Sequence, residues 1–264
     1  MKNSTMTKGT MEVYNFENFK LHVYNTRDVM ADTSLIIEGT DALVMMELPL
    51  FKENAAEFEA YYKSLNKPVV KVVTDYHLGG AEQTPLTMPA GMPGFIGGPI
   101  YGGMMTHFAE VFGDTIVALP EGEAEEVAFG STQHWAGVSF DFEHGPASDF
   151  PGASIIIGEK IYYTHWAPMK MHPGNLQFSS SAAVDAELSE AKRALKSHCE
   201  LFVGGHGGVA KTDAVEFKIN YLLTMKKLRA ENRTADEFVE AMKSAFPNLP
   251  GEDNLIQVAK VLYE

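Results

Sequence analysis

Two residues with metal-binding chemistry stand two apart at Asp75 and His77, and Leu78 and the pair Gly79-Gly80 follow directly. A carboxylate oxygen and an imidazole nitrogen are both donors to divalent metal ions. The preceding run Val69-Val70-Lys71-Val72-Val73 is β-branched and reads as a buried strand. Just past a strand end both side chains can turn toward one point, while the two glycines let the chain bend sharply beneath them.

The elements around that strand are legible in order. Residues 11–16, 19–24, 34–38 and 42–47 read as consecutive strands, the last two joined by the turn Gly39-Thr40-Asp41. A helix over 53–65 follows, with Phe58, Tyr61, Tyr62 and Leu65 at helical spacing, and Lys67-Pro68 ends it before the valine-rich strand. Strand, helix, strand in this order points to an α/β layer. Residues 84–103, punctuated by Pro85, Pro89, Pro93 and Pro99 among six glycines, are expected to lack regular structure and to form a loop, either a lid or a plain cover.

Further on, a helix is expected over 104–112, a strand over 115–119 and a solvated acidic turn over 121–126. A half-buried strand over 137–142 and a hairpin pairing 154–157 with 160–163 come next. Helix over 185–197, strand over 201–203 and the loop Gly204-Gly205-His206-Gly207-Gly208 lead into the C-terminal third. There Asp213 with Glu216, and Thr234 with Glu237, have the spacing of capping boxes. Val215, Ile219, Leu222 and Met225 make the buried stripe of the first of these helices.

Composition bounds the function. The chain has 264 residues, 45% hydrophobic and 21% charged, with 35 acidic against 21 basic side chains and a formal charge of −14. It has ample length for a core, and nucleic acid or an anionic membrane would be repelled overall. The single cysteine, Cys199, excludes an internal disulfide and a cysteine-rich zinc module, so any metal must be held by histidine and carboxylate. The N-terminal residues lack the apolar segment of a signal peptide and no run is long enough to span a bilayer, so a cytoplasmic protein is expected, or a periplasmic or secreted one had a signal been removed. There is no nucleophile elbow, phosphate-binding glycine loop or dinucleotide fingerprint.

The stretch Thr74-Asp75-Tyr76-His77-Leu78-Gly79-Gly80 resembles the metallo-β-lactamase-fold hydrolases, whose motif after such a strand is Thr-His-x-His-x-Asp-His-x-Gly-Gly. One register sets Asp75 at the first histidine and His77 at the second, with the following x-Asp-His deleted. A rival, ungapped register sets His77 at the last histidine, with Thr74 and Tyr76 at the second histidine and the aspartate. The gapped register is preferred because it leaves a metal-capable residue at each aligned position.

The resemblance runs from Ser34 to the C-terminal helices and implies a four-layer αββα sandwich, read here as one domain over 1–264 with the helices of 211–264 packed on it. It also implies the remaining ligands. Ser148-Asp149-Phe150-Pro151-Gly152-Ala153 fills the slot of Gly-His-Thr-Pro-Gly-Ser with Asp149 at the histidine, His165 stands where an aspartate is usual, and Gly204-Gly205-His206-Gly207 matches the last histidine.

The implied metal set is therefore Asp75, His77, Asp149, His165 and His206, with Asp75 and His77 also catalytic and His144 in reserve for Asp149. The deleted Asp-His removes two donors associated with a second ion, so one divalent ion is expected, zinc first, with manganese or iron suited to a mixed carboxylate and imidazole set. His22, His107, His134, His172 and His198 read as structural or solvated, and Cys199 as a small buried hydrophobe. The functional expectation is hydrolysis of a small ester, lactone, thioester or amide by a metal-activated water. The alternative is a non-catalytic binding or regulatory protein that kept the fold.

Overall fold

The structure, a computed structural model, describes residues 6–79, 86–118, 124–146 and 152–264. The first strands are β1 (Thr10–Asn15), β2 (Lys20–Asn25), β3 (Thr33–Glu38) and β4 (Leu43–Leu48), followed by helix α1 (Lys52–Ser64) and the central strand β5 (Val69–Leu78). Next come β6 (Leu86–Pro89), α2 (Met92–Ile96), α3 (Pro99–Phe112), β7 (Glu125–Val127), β8 (Ser131–Trp135), β9 (Val138–His144), β10 (Ala153–Ile157) and β11 (Ile161–Tyr163). The chain closes with α4 (Ser181–Lys196), β12 (Leu201–Val203), β13 (Val209–Ala210), α5 (Thr212–Glu231), α6 (Ala235–Ala245) and α7 (Glu252–Tyr263).

Among the described residues the strands form two sheets, one ordered β1-β2-β3-β4-β5-β6-β7 and one ordered β13-β12-β11-β10-β9-β8. The first is antiparallel through β4 and parallel from β4 to β7. In the second, β11 and β12 are parallel and the other pairs antiparallel. Alternation along the strands sends one face of each sheet into a shared core of Leu35, Ile37, Val44, Met46 and Val73 against Phe140, Phe142, Ile155, Ile157 and Val203.

The opposite face of the first sheet is covered by Phe58 and Tyr62 of α1 and by Met92 and Tyr101 of α2 and α3. Ala194 of α4 and Ala214 and Val215 of α5 cover Tyr162 and Phe202 on the second sheet. Helix, sheet, sheet, helix is the layering that the sequence led us to expect. Beyond the outer helices, Leu188, Leu222, Phe238, Val258 and Leu262 join α4, α5, α6 and α7 into a further apolar cluster.

Several local expectations change. The glycine- and proline-rich stretch is regular over most of its described residues. Pro93 and Pro99 occupy first-turn positions of α2 and α3, where the missing N–H would have no partner in any case. Gly91, at φ 84°, supplies the left-handed residue before α2, and Gly102 and Gly103 have open space where a Cβ would stand. The strand expected over 115–119 reduces to one bridge, Ile116 to Phe51, after a 3-10 turn, with residue 119 outside the described residues. Of the acidic turn, 121–123 lie outside them too, while Glu125 and Glu126 belong to β7. The capping box of α6 forms, whereas Asp213 pairs with Lys170 at 2.6 Å and α5 starts one residue earlier than Asp213 without a side-chain cap.

Candidate metal centre

β4 and β5 run parallel, but their register breaks between Met46, opposite Val73, and Leu48, opposite Leu78. The residues Thr74 to His77 bow out of the ladder, and their amides need other acceptors. Glu47 provides them. It adopts φ 53° in the break and is fully buried; its carboxylate accepts from the amides of Asp75 at 2.6 Å and His77 at 3.2 Å. The Thr74 hydroxyl donates to the His77 carbonyl at 2.7 Å and completes the turn. This local construction holds His77 at the end of the sandwich.

His165 and His206 arrive there from the second sheet. His165 follows β11, and His206 lies between β12 and β13, so the parallel pairing of β11 with β12 delivers both to the same end. Their loops are stitched together by the His206 amide donating to the His165 carbonyl at 3.1 Å and by the Ala167 amide donating to the His206 carbonyl at 3.1 Å. Gly204 is required by close approach, since a Cβ there would lie 2.5 Å from the Thr164 carbonyl oxygen.

One ligand atom from each of His77, His165 and His206 lies within 4.8 Å of the others, a grouping that could hold a metal ion. The ring of His165 is 5.1 Å from that of His77 and 5.0 Å from that of His206, and Trp166 stacks on His206 at 4.4 Å. Tyr76 closes another side, 4.3 Å from the His165 ring, and its carbonyl accepts from the Tyr101 hydroxyl of α3 at 2.8 Å. The proline- and glycine-rich segment thus packs against the site.

Electrostatics favour ligand-ready imidazoles. Burial lowers the pKa of His77, against the pull of Glu47. Burial, reinforced by His77 and His206, holds His165 well below the usual range, and His206 is brought down to about 4 by burial and His77. All three rings are therefore neutral near pH 7, the form that binds metal. The Nδ1 atoms of His77 and His165 are buried and make no hydrogen bond. Both face Glu47 Oε2, at 3.5 and 3.9 Å, while the other ring nitrogen of His77, Nε2, is turned toward Asp32 at 3.9 Å.

The other expected residues are placed differently. Asp75 does not belong to the group of three, and the Ala153 amide sits 3.2 and 3.3 Å from its two oxygens. Burial, together with the nearby Glu47 carboxylate, raises its pKa well above the ordinary value. Asp149 lies outside the described residues. His144 stands apart on β9, its ring tilted against Phe129 at 4.0 Å. His22 is bound by Glu38 and Tyr61, His172 by Tyr221, and His107, His134 and His198 are exposed.

Two carboxylates of the site escaped the sequence reading. Glu47 carried a usable signal, an acidic residue ending the otherwise apolar strand of 42–47. Asp32 carried none: it lies in the β2–β3 connection and reaches His206 only through tertiary pairing. Asp32 is buried, and burial raises its pKa to about 7, opposed by His206.

With this geometry established, likeness to known proteins becomes informative. No family model matches the chain, and no curated protein matches its sequence. Among solved structures, the stereoselective inverting sec-alkylsulfatase Pisa1 from Pseudomonas sp. matches with a TM-score of 0.62 at 16% identity, over 91% of this chain and 48% of that one. ST1585 from Sulfolobus tokodaii, an archaeal metallo-β-lactamase superfamily protein, matches with 0.58 at 13% identity over 91% and 98%. The DIM-1 metallo-β-lactamase matches with 0.56 at 10% identity over 83% and 99%. The chain spans about half the length of the alkylsulfatase. It has the metallo-β-lactamase fold, the four-layer αββα sandwich. Among the described residues no helix is long and apolar enough to cross a membrane.

Proposed function

We propose that the protein is a metal-dependent hydrolase acting on a small ester, lactone, thioester or amide, with one divalent ion held by His77, His165 and His206. The observation that carries this reading is the convergence of three neutral, half-buried imidazoles from both sheets. Zinc suits three imidazoles first, and manganese or iron suits them with a carboxylate added. When bound, such an ion lowers the pKa of a coordinated water and polarises a substrate carbonyl.

The chain's own groups take the remaining tasks. Glu47 holds the bowed segment, and with it the backbone of His77, in place through the Asp75 and His77 amides. Burial and the Glu47 carboxylate disfavour Asp75 as an anion and raise its pKa, which makes its carboxyl our candidate for proton donation. Tyr76 and Trp166 flank the rings with aromatic surface that restricts water and suits an apolar substituent on the substrate.

Elemental analysis of untagged protein tests the reading. Stoichiometric metal in the wild type, lost in His77→Ala with the fold retained, is the expected result; a metal-free protein under every loading condition refutes it. A second reading, a binding or regulatory protein on the same fold, is favoured by the direct step from His77 to Leu78-Gly79, which leaves no room for the Asp-His of the motif. Turnover of model esters, lactones and thioesters by metal-loaded protein separates the two.

A further inference from the structure

Asp32 is 3% exposed, and its Oδ1 is buried without a hydrogen bond. That oxygen lies 3.4 Å from His206 Nδ1 and 3.9 Å from His77 Nε2. Two donors that share an ion at about 2.0–2.2 Å each are no more than about 4.4 Å apart, and close to 3.4 Å at a tetrahedral angle. Both spacings fall inside that limit, although Asp32, like Asp75, is not one of the three residues whose ligand atoms all lie within 4.8 Å of one another. The longer-range alternative, a simple hydrogen bond from His206, fits less well, because such bonds run at about 2.7–3.2 Å.

We propose that Asp32 is a ligand of the same ion as His77 and His206, an anionic oxygen supplied from a loop far outside the central motif. This rests on the reading of the histidine cluster as a metal site. The loop is built to hold the carboxylate there. The amide and hydroxyl of Thr26 both stand 3.0 Å from the Asp32 carbonyl oxygen, and the Thr33 amide donates to the Gly205 carbonyl at 2.7 Å. Asp28 turns the chain by accepting from the amides of Met30 and Ala31 at 2.9 and 3.1 Å, with Ala31 at φ 52°.

Glu47 is the natural competitor for this role and differs in one respect. Its Oε2 is 3.5 Å from His77 Nδ1 and 3.9 Å from His165 Nδ1, but its oxygens already accept from backbone amides. Asp32 Oδ1 has no such donors. A buried carboxylate oxygen without donors is disfavoured unless a cation or a proton meets it.

Cobalt(II) is the probe, added to the full chain as wild type and as Asp32→Asn, which keeps the shape and loses the charge. The expected result is a Co2+ affinity at least about tenfold weaker in the variant, together with shifted and re-weighted visible bands, since the bands report the donor set. Weaker affinity with unchanged bands would mean that Asp32 only positions His206, and equal affinity would mean no role; either overturns the proposal. A wild type that binds no Co2+ overturns the metal reading itself, and that is seen before any variant is made. Should the variant fold poorly, the anomalous peak in Co2+-soaked wild-type crystals decides, supporting the proposal at about 2.0–2.2 Å from an Asp32 oxygen and overturning it beyond about 3 Å.

Discussion

Gly205 is the residue at which the metal reading is most exposed to refutation. A Cβ there would stand 3.0 Å from Glu47 Oε2, 3.0 Å from His77 Cε1 and 3.2 Å from His165 Nδ1, where ordinary contact begins at 3.4 Å. Its backbone lies outside the left-handed region, so Gly205→Ala adds a methyl group without backbone strain. The neighbours must move by a few tenths of an ångström, which exceeds the roughly ±0.2 Å over which ligand distances vary.

For folding, the opposing contributions nearly cancel. Burying the methyl contributes about 0.8 kcal/mol and restricting the unfolded chain about 0.4–1 kcal/mol, against about 1–3 kcal/mol for overpacking. The metal-free protein should therefore melt within a few degrees of the wild type. Its zinc affinity should fall about 10- to 100-fold, equivalent to about 1.4–2.7 kcal/mol. Chelator competition measures the affinity and thermal denaturation the stability. Full zinc affinity in a normally folded Gly205→Ala protein would refute the claim that the donors converge beside Gly205.

Glu47→Gln should cost about 1–3 kcal/mol, because an amide nitrogen cannot accept from the Asp75 and His77 amides; an unchanged denaturant midpoint would remove Glu47 from its supporting role. Burial acts to raise the pKa of Glu38, but Lys67, His22 and Lys20 outweigh it and hold the group down to about 2 from 4.5. The unfolded chain therefore binds the extra proton between these values, so this contribution is complete above pH 4.5 and disappears as pH falls through about 2. Acid titration of stability should show that loss in the wild type and a smaller one in Glu38→Gln. Phe238→Ala, in the cluster joining α4 to α7, should cost about 3–5 kcal/mol and lower a single calorimetric transition; two separate transitions would refute the proposal that residues 211–264 belong to one domain with the sandwich.

The central strand was readable because its signal is local. Val69 to Val73 announce a buried strand by residue type alone, and the polar residues and glycines after it announce its end. The same holds for the helix-capping pair Thr234 and Glu237, whose hydrogen bonds span only three residues. In the stretch from 84 to 103 prolines and glycines carry the local signal of helix breakers. They act instead as helix starts and as exposed positions that need no side chain.

The histidines of the candidate site were legible for the same reason, since His77 and His206 each carry their own glycines and strand ends. By itself the sequence determined most of the strands and helices outside the stretches 84–103 and 115–119, and which loops carry imidazole. Only the tertiary structure decided what meets those imidazoles. Glu47 reaches the bowed segment 28 residues on, Asp75 meets the Ala153 amide 78 residues on, and the loop carrying Asp32 is tied to that of His206 by a hydrogen bond from Gly208 to Thr33 across 175 residues. Such pairings leave no periodicity in the chain. They are chosen by which sheet edges can close over a common core, and the donor set around the histidines is fixed only when that core has formed.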